Sequence, residues 1–161
     1  MKFDTLATKY RGRVAREYES KRFDPKWLAE ERVAAEMLQQ VPRGSSALDV
    51  PVGTGRLIPL LAERGLLITG IDASRDMLEE ARQCASRTGA SAELTRGDIR
   101  QLSFPDNSFD VVTCLRFLNW IEMEGATNAE LFDAEAGWIK RSGGIANLAN
   151  RINSPGMGGD G

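Results

Sequence analysis

From residue 24 onward, short apolar runs alternate with amphipathic stretches, and this pattern predicts strands separated by helices. Asp24-Pro25 reads as an N-cap followed by proline in the first turn, opening a helix that carries Trp27, Leu28, Val33, Met37 and Leu38 to about Val41. Pro42-Arg43-Gly44 stops it. Leu48 to Val50 is a first short strand, and Leu57-Ile58 with Leu60-Leu61 begins the next helix. Leu66 to Ile71 is a second strand, after which Ser74 caps a helix with Met77, Leu78, Ala81 and Ala85 on one face, closed by Gly89. Ala92 to Thr95 and Phe109 to Leu115 read as third and fourth strands. Thr127-x-x-Glu130 is a capping box that predicts a helix carrying Leu131, Ala134, Trp138 and Ile139, and Arg141 to Gly144 turns into a fifth strand, Ile145 to Ala149.

Such alternation implies parallel pairing with right-handed crossovers: an α/β fold with a doubly wound, mainly parallel sheet. A ligand then sits at the carboxyl ends of the strands, near the reversal of strand order. The segment Leu48-Asp49-Val50-Pro51-Val52-Gly53-Thr54-Gly55-Arg56 suits that place. Gly53 and Gly55 permit a tight turn with close backbone approach, and the helix after them offers free N–H groups. Asp72 falls at the end of the second strand, where a carboxylate can accept two hydrogen bonds from a ribose diol. Asp98, after Gly97, lies at the same edge; alone it is a turn residue, and its convergence with the other two favours a ligand role. The site reads as one for a nucleoside. In G-x-G-x-x-G the third position is Ile58, where a dinucleotide site wants Gly or Ala, and Pro51 removes an amide that a pyrophosphate would use. A ligand bearing one carboxylate and one ammonium group fits better, with Asp49 as an acceptor near the turn.

These blocks, together with Gly70-Ile71-Asp72-Ala73-Ser74, Met77-Leu78, Gly97-Asp98-Ile99 and Leu102 to Val112, resemble the class I S-adenosylmethionine-dependent methyltransferases, in that family's order and over most of the chain. Pro51 and Val52 stand where the family usually has Gly and Cys. The resemblance implies S-adenosyl-L-methionine as cofactor. By it, Asp49, Gly53 and Gly55 hold the methionine part, Asp72 takes the ribose hydroxyls and Met77 packs near the adenine. Asp98 accepts from the adenine amino group with the Ile99 amide beside it, Leu115 and Arg116 line the pocket, and Pro51 and Ala73 belong to the same cofactor-binding set.

Composition narrows the setting. At 161 residues, 42% apolar and 27% charged, the chain has the size and balance of one compact domain. The reading divides it into an N-terminal helical arm or lid (1–44), the cofactor-binding α/β domain (45–153) and a glycine-rich tail (154–161). With 21 basic and 23 acidic residues there is no chain-wide basic field, which disfavours nucleic acid as a partner; Lys9 to Arg13 reads as a solvated arm. Cys84 and Cys114 lack metal-ligand spacing and read as buried apolar groups, pointing to a reducing cytoplasm. No stretch approaches the length of a membrane span.

Methyl transfer from a sulfonium needs alignment more than a dedicated base; the chain has no histidine, so any general base is Asp, Glu, Tyr, Lys, Cys or water, and no catalytic residue is assigned. Tyr10, Tyr18 and Arg22 in the arm, and Asn119 and Trp120 after the fourth strand, are the candidates to face substrate or act as a lid; Tyr18 and Trp120 serve equally well as packing aromatics. The further helix and antiparallel strand pair of complete family members are expected to be absent, because Asn150 to Asn153 runs into the glycine-rich tail. The fifth strand is then an exposed edge, flanked by Ile145, Leu148 and Ile152: either a partner chain covers it or the domain is incomplete, and the chain is expected to self-associate or to be less stable than a full-length domain. Three functions follow in order: methyltransferase on a small-molecule acceptor, a partial domain that binds cofactor without turnover, and an NAD-dependent oxidoreductase.

Overall fold

The computed structural model describes residue 8 and residues 11–20, 23–105, 107–115, 131–133 and 137–141. Two helices, α1 (Arg13–Ser20) and α2 (Pro25–Leu38), precede strand β1 (Ser46–Asp49). Then come α3 (Ile58–Glu63), β2 (Leu67–Asp72), α4 (Arg75–Thr88), β3 (Ala92–Arg96), a 3-10 turn (Ile99–Gln101) and β4 (Val111–Leu115). Strands β5 (Leu131–Asp133) and β6 (Gly137–Arg141) complete a six-stranded sheet of order β3-β2-β1-β4-β6-β5.

The local signals in the sequence explain most boundaries. Asp24 accepts a hydrogen bond from the Lys26 amide and Pro25 occupies the first turn of α2; Ser74 accepts from the Met77 amide at the start of α4, which Gly89 ends in the left-handed conformation. β1 lies parallel to both β2 and β4, and β2 parallel to β3, so the order reverses between β1 and β4. The carboxyl ends of β1, β2 and β4 therefore open side by side at the switch point.

Residues 131–133 and 137–141 differ from expectation. Where the sequence predicts a helix carrying Leu131, Ala134, Trp138 and Ile139, β5 and β6 form an antiparallel pair, and β6 runs antiparallel to β4, from Val111 opposite Arg141 to Leu115 opposite Gly137. An antiparallel element is thus present where none was expected. The cause is tertiary: the outer edge of β4 carries unpaired N–H and C=O groups, and a neighbouring ladder satisfies them, which outweighs a weak local helix preference. The predicted fifth strand, Ile145 to Ala149, and the tail lie outside the described residues.

Period-two alternation sorts the strands between two cores. Ala47, Ile68 and Val111 join Ala34 and Leu38 of α2, Ile58 and Leu61 of α3, and Leu78 and Ala81 of α4. Leu48, Ile71, Val112 and Cys114 pack on the opposite face with Val50 and Ile99, partly covered by Phe104 and Phe109. Leu38, Leu48, Leu57, Ile58, Leu61 and Leu78 are fully buried, each contributing about 1.5–3 kcal/mol of transfer free energy. Cys84 and Cys114 are buried and form no disulfide among the described residues, in keeping with their reading as buried apolar groups.

Gly55 fixes the first turn against this packing. Its φ is +82°, and a Cβ there would lie 2.9 Å from Ile58 Cδ1 and 3.0 Å from the Ala81 backbone. We expect Gly55→Val to lower the unfolding free energy by about 2–4 kcal/mol, from left-handed strain plus overpacking between α3 and α4. Urea denaturation with an unchanged midpoint would place the turn elsewhere.

Candidate functional site

The site begins with two carboxylates on one face of the sheet. Asp49 ends β1, Thr113 stands opposite it on β4, and the Thr113 hydroxyl donates to Asp49 Oδ1 at 2.7 Å. Asp72 ends β2, and its two oxygens hold two different turns. Oδ2 accepts from the Gly53 amide at 2.9 Å, and Oδ1 accepts from the Ser74 amide at 2.8 Å. The turn after β1 is closed further by the Val52 amide donating to the Ile71 carbonyl and by the Cys84 thiol donating to the Gly55 carbonyl. Gly53 takes φ +56°, and a Cβ there would meet nothing within 4 Å.

Above these groups lies a cleft, open to solvent, with about 840 Å³ of empty space that includes its open mouth. Asp49, Gly53, Asp72 and Tyr18 supply polar atoms to it; Pro51, Ala73, Met77, Ile99 and Leu115 are among its apolar walls. Tyr18, expected at the substrate or in a lid, reaches the cleft from α1. Gly55 packs against Ala81 beneath the turn rather than lining the cleft, and Asp98 is half-buried beside the lining residues Gly97 and Ile99. Tyr10, Arg22, Arg116, Asn119 and Trp120 lie outside the described residues.

Arg56 is the residue whose part the sequence did not disclose. Its side chain is 9% exposed and reaches α2, where Nε donates to Glu31 at 2.8 Å, Nη1 to Glu30 at 2.9 Å and Nη2 to the Trp27 carbonyl. The guanidinium carbon lies 4.5 Å from the centre of the Trp27 ring, which in turn contacts Tyr18 at 4.8 Å between ring centres. A signal existed in the spacing of Trp27, Glu30 and Glu31 at i, i+3 and i+4, which puts two carboxylates on one helix face beside an aromatic. What the sequence lacked was the partner, 25 or more residues away.

Burial pushes the Asp49 carboxyl up to about 7; the Thr113 hydroxyl opposes the rise, Asp72 repulsion adds to it and Arg56 counters it. Burial likewise raises Asp72 to about 6 against the opposing amides of Ser74, Gly53 and Ala73. Both groups bind protons more tightly folded than unfolded. Their contribution to stability is therefore complete below the ordinary value of 3.8 and is lost as pH rises through 6 to 7. Removing one of them should flatten this decline: between pH 4 and 7.5, ligand-free wild type should lose stability relative to Asp49→Asn, as read by denaturation at each pH. Parallel curves for the two proteins would assign Asp49 an ordinary carboxyl.

A family model described as a methyltransferase domain matches residues 47–135, more than half of the chain and the whole span from β1 through the switch point. Phosphatidylethanolamine N-methyltransferase of Cereibacter sphaeroides is 34% identical over 112 residues, which cover 68% of this chain and 52% of the relative. Demethylmenaquinone methyltransferase of Tropheryma whipplei is 38% identical over 117 residues, covering 70% and 44%. The chain spans about half the length of these curated relatives. Phosphoethanolamine N-methyltransferase 2 of Haemonchus contortus, solved with S-adenosyl-L-methionine, shares the fold at a TM-score of 0.60 and 24% identity, over 71% of this chain and 28% of that one. A protein of Methanococcus maripaludis does so at a TM-score of 0.60 and 19% identity, over 76% and 54%. The order reversal beside β1, the glycine turn clamped by the acid of β2, and the match across residues 47–135 agree: the chain belongs to the methyltransferase domain family, with the class I fold.

Proposed function

We propose that the cleft binds S-adenosyl-L-methionine and that the chain is the cofactor-binding part of a methyltransferase acting on a small-molecule acceptor. The observation that carries this reading is Asp72, a carboxylate at the end of β2 fixed by two turn amides at the floor of the cleft. Each of its oxygens keeps lone-pair capacity beyond the amide it accepts, as a ribose diol requires. Asp49 suits the ammonium of the amino-acid part: a cation beside it would favour the ionised form that burial disfavours. Gly53 keeps the turn bare so that this end of the ligand can approach the backbone, while Gly55 lets the turn pack against Ala81. Met77, Ile99 and Leu115, with Ala73 and Pro51, provide apolar walls for a purine, and Asp98 with the Ile99 amide provides its polar edge.

Bound there, S-adenosyl-L-methionine would supply a methyl group activated by its sulfonium for transfer to an acceptor's nucleophile. The protein's share is to hold the two partners within about 3–3.5 Å and to keep water out. Tyr18 and the arm helices suit the second task by covering the cleft from α1. Arg22, Tyr10, Arg116, Asn119 and Trp120 complete the proposed surroundings of cofactor and acceptor. The acidic and basic residues nearly balance, which does not favour nucleic acid as acceptor, and relatives act by name on phosphatidylethanolamine and demethylmenaquinone.

We expect Asp72→Asn, which keeps the shape but loses the charge, to weaken S-adenosylhomocysteine binding by about 1.5–3 kcal/mol in calorimetric titration. Equal affinity in the folded variant would take Asp72 out of the site. Gly53→Val should abolish binding, because its side chain would project into the open cleft from a left-handed backbone. Transfer of labelled methyl to a panel of lipid-like and small polar acceptors tests turnover; tight binding without transfer to any of them would favour a cofactor-holding domain.

A further inference from the structure

Arg56 belongs by its backbone to the glycine turn and by its guanidinium to the arm, so it joins two parts of the cleft that are distant in sequence. Its fork of N–H groups is spent on Glu30, Glu31 and the Trp27 carbonyl, while the Trp27 ring packs beneath it and against Tyr18. The other end of α1 is tied as well: the Gly12 amide donates to Asp76 Oδ2 at 2.5 Å, in the first turn of α4. Helix α1 is thus a strap fastened at Asp76 on one side and, through Trp27, at Arg56 on the other, with Tyr18 over the cleft between them.

We propose that Arg56 is a positioning residue that fastens the arm to the glycine turn and so sets how long a ligand stays in the cleft. The proposal rests on the reading of the cleft as a cofactor site. A buried guanidinium bonded to two carboxylates and a carbonyl of α2 fixes the Trp27 ring against which Tyr18 of α1 packs, so weakening those contacts loosens α1 and the cover it gives a ligand. Lysine keeps the charge but not the planar fork. Glu31 is 27% exposed and does not line the cleft, so changing it loosens the arm without altering what a ligand touches.

The test measures dissociation of S-adenosylhomocysteine from wild type, Arg56→Lys, Glu31→Gln and the double variant, alongside hydrogen exchange of amides 13–20 and of β1 and β2. We expect about tenfold faster dissociation for Arg56→Lys and a smaller acceleration for Glu31→Gln. The double variant should resemble Arg56→Lys alone, with exchange faster in 13–20 and unchanged in β1 and β2. Glu31→Gln with a looser arm but wild-type dissociation would overturn the proposal, as would sheet amides losing protection in step with the arm in both variants. A wild type that ignores S-adenosylhomocysteine sinks the cofactor reading instead; exchange of 13–20 in the ligand-free variants then upholds or refutes the fastening by itself.

Discussion

The carboxylate of Asp72 is the constraint on which the rest of the site depends. One oxygen holds the Gly53 amide of the turn after β1 and the other holds the Ser74 amide that opens α4, so a single side chain sets the spacing of two turns from adjacent strands. Burial makes its ionised form costly, and the amides around it offset part of that cost. A charged group kept in this balance is ready to accept further hydrogen bonds from a ligand. It is also sensitive to any change in the turns it joins.

Asp49 sits on the same face under a heavier penalty. It has the Thr113 hydroxyl as a close partner, while Asp72 repels it and Arg56 attracts it. Two buried carboxyls whose protons come off near neutrality give the cleft an affinity for positive charge that grows as they ionise. This is the electrostatic complement of a ligand that carries an ammonium and a sulfonium, and it opposes an anionic pyrophosphate. The same preference follows from Ile58 and Pro51 in the glycine turn, by sterics and by a missing amide rather than by charge.

Arg56 shows how a glycine turn and an N-terminal arm can become one unit. Its guanidinium pairs with Glu30 and Glu31 of α2 while its backbone belongs to the turn that lines the cleft, so one residue ties the arm to the cleft. Stacking on Trp27 carries the link to Tyr18. The arm's cover over the cleft is then a consequence of side chains in α2, not of α1 alone, whose exposed Arg13–Glu17 pair adds little.

The sequence by itself determined the parallel core and which residues stand at its carboxyl edge. The helix caps at Asp24 and Ser74, the glycine stop at Gly89, and the apolar runs of β1, β2 and β4 are local signals, and the structure keeps them within a residue or two. Gly53, Asp49 and Asp72 were legible because strand ends and glycine turns fix position through the backbone. Tertiary structure decided what depends on partners remote in the chain. Gly55 proved to be demanded by Ala81 as well as by the turn, Arg56 found its carboxylates on α2, and residues 131–133 and 137–141 took strand form because β4 offered an open ladder that no local capping signal records. Pairing energy of that kind belongs to two segments at once, and periodicity within either one cannot reveal it.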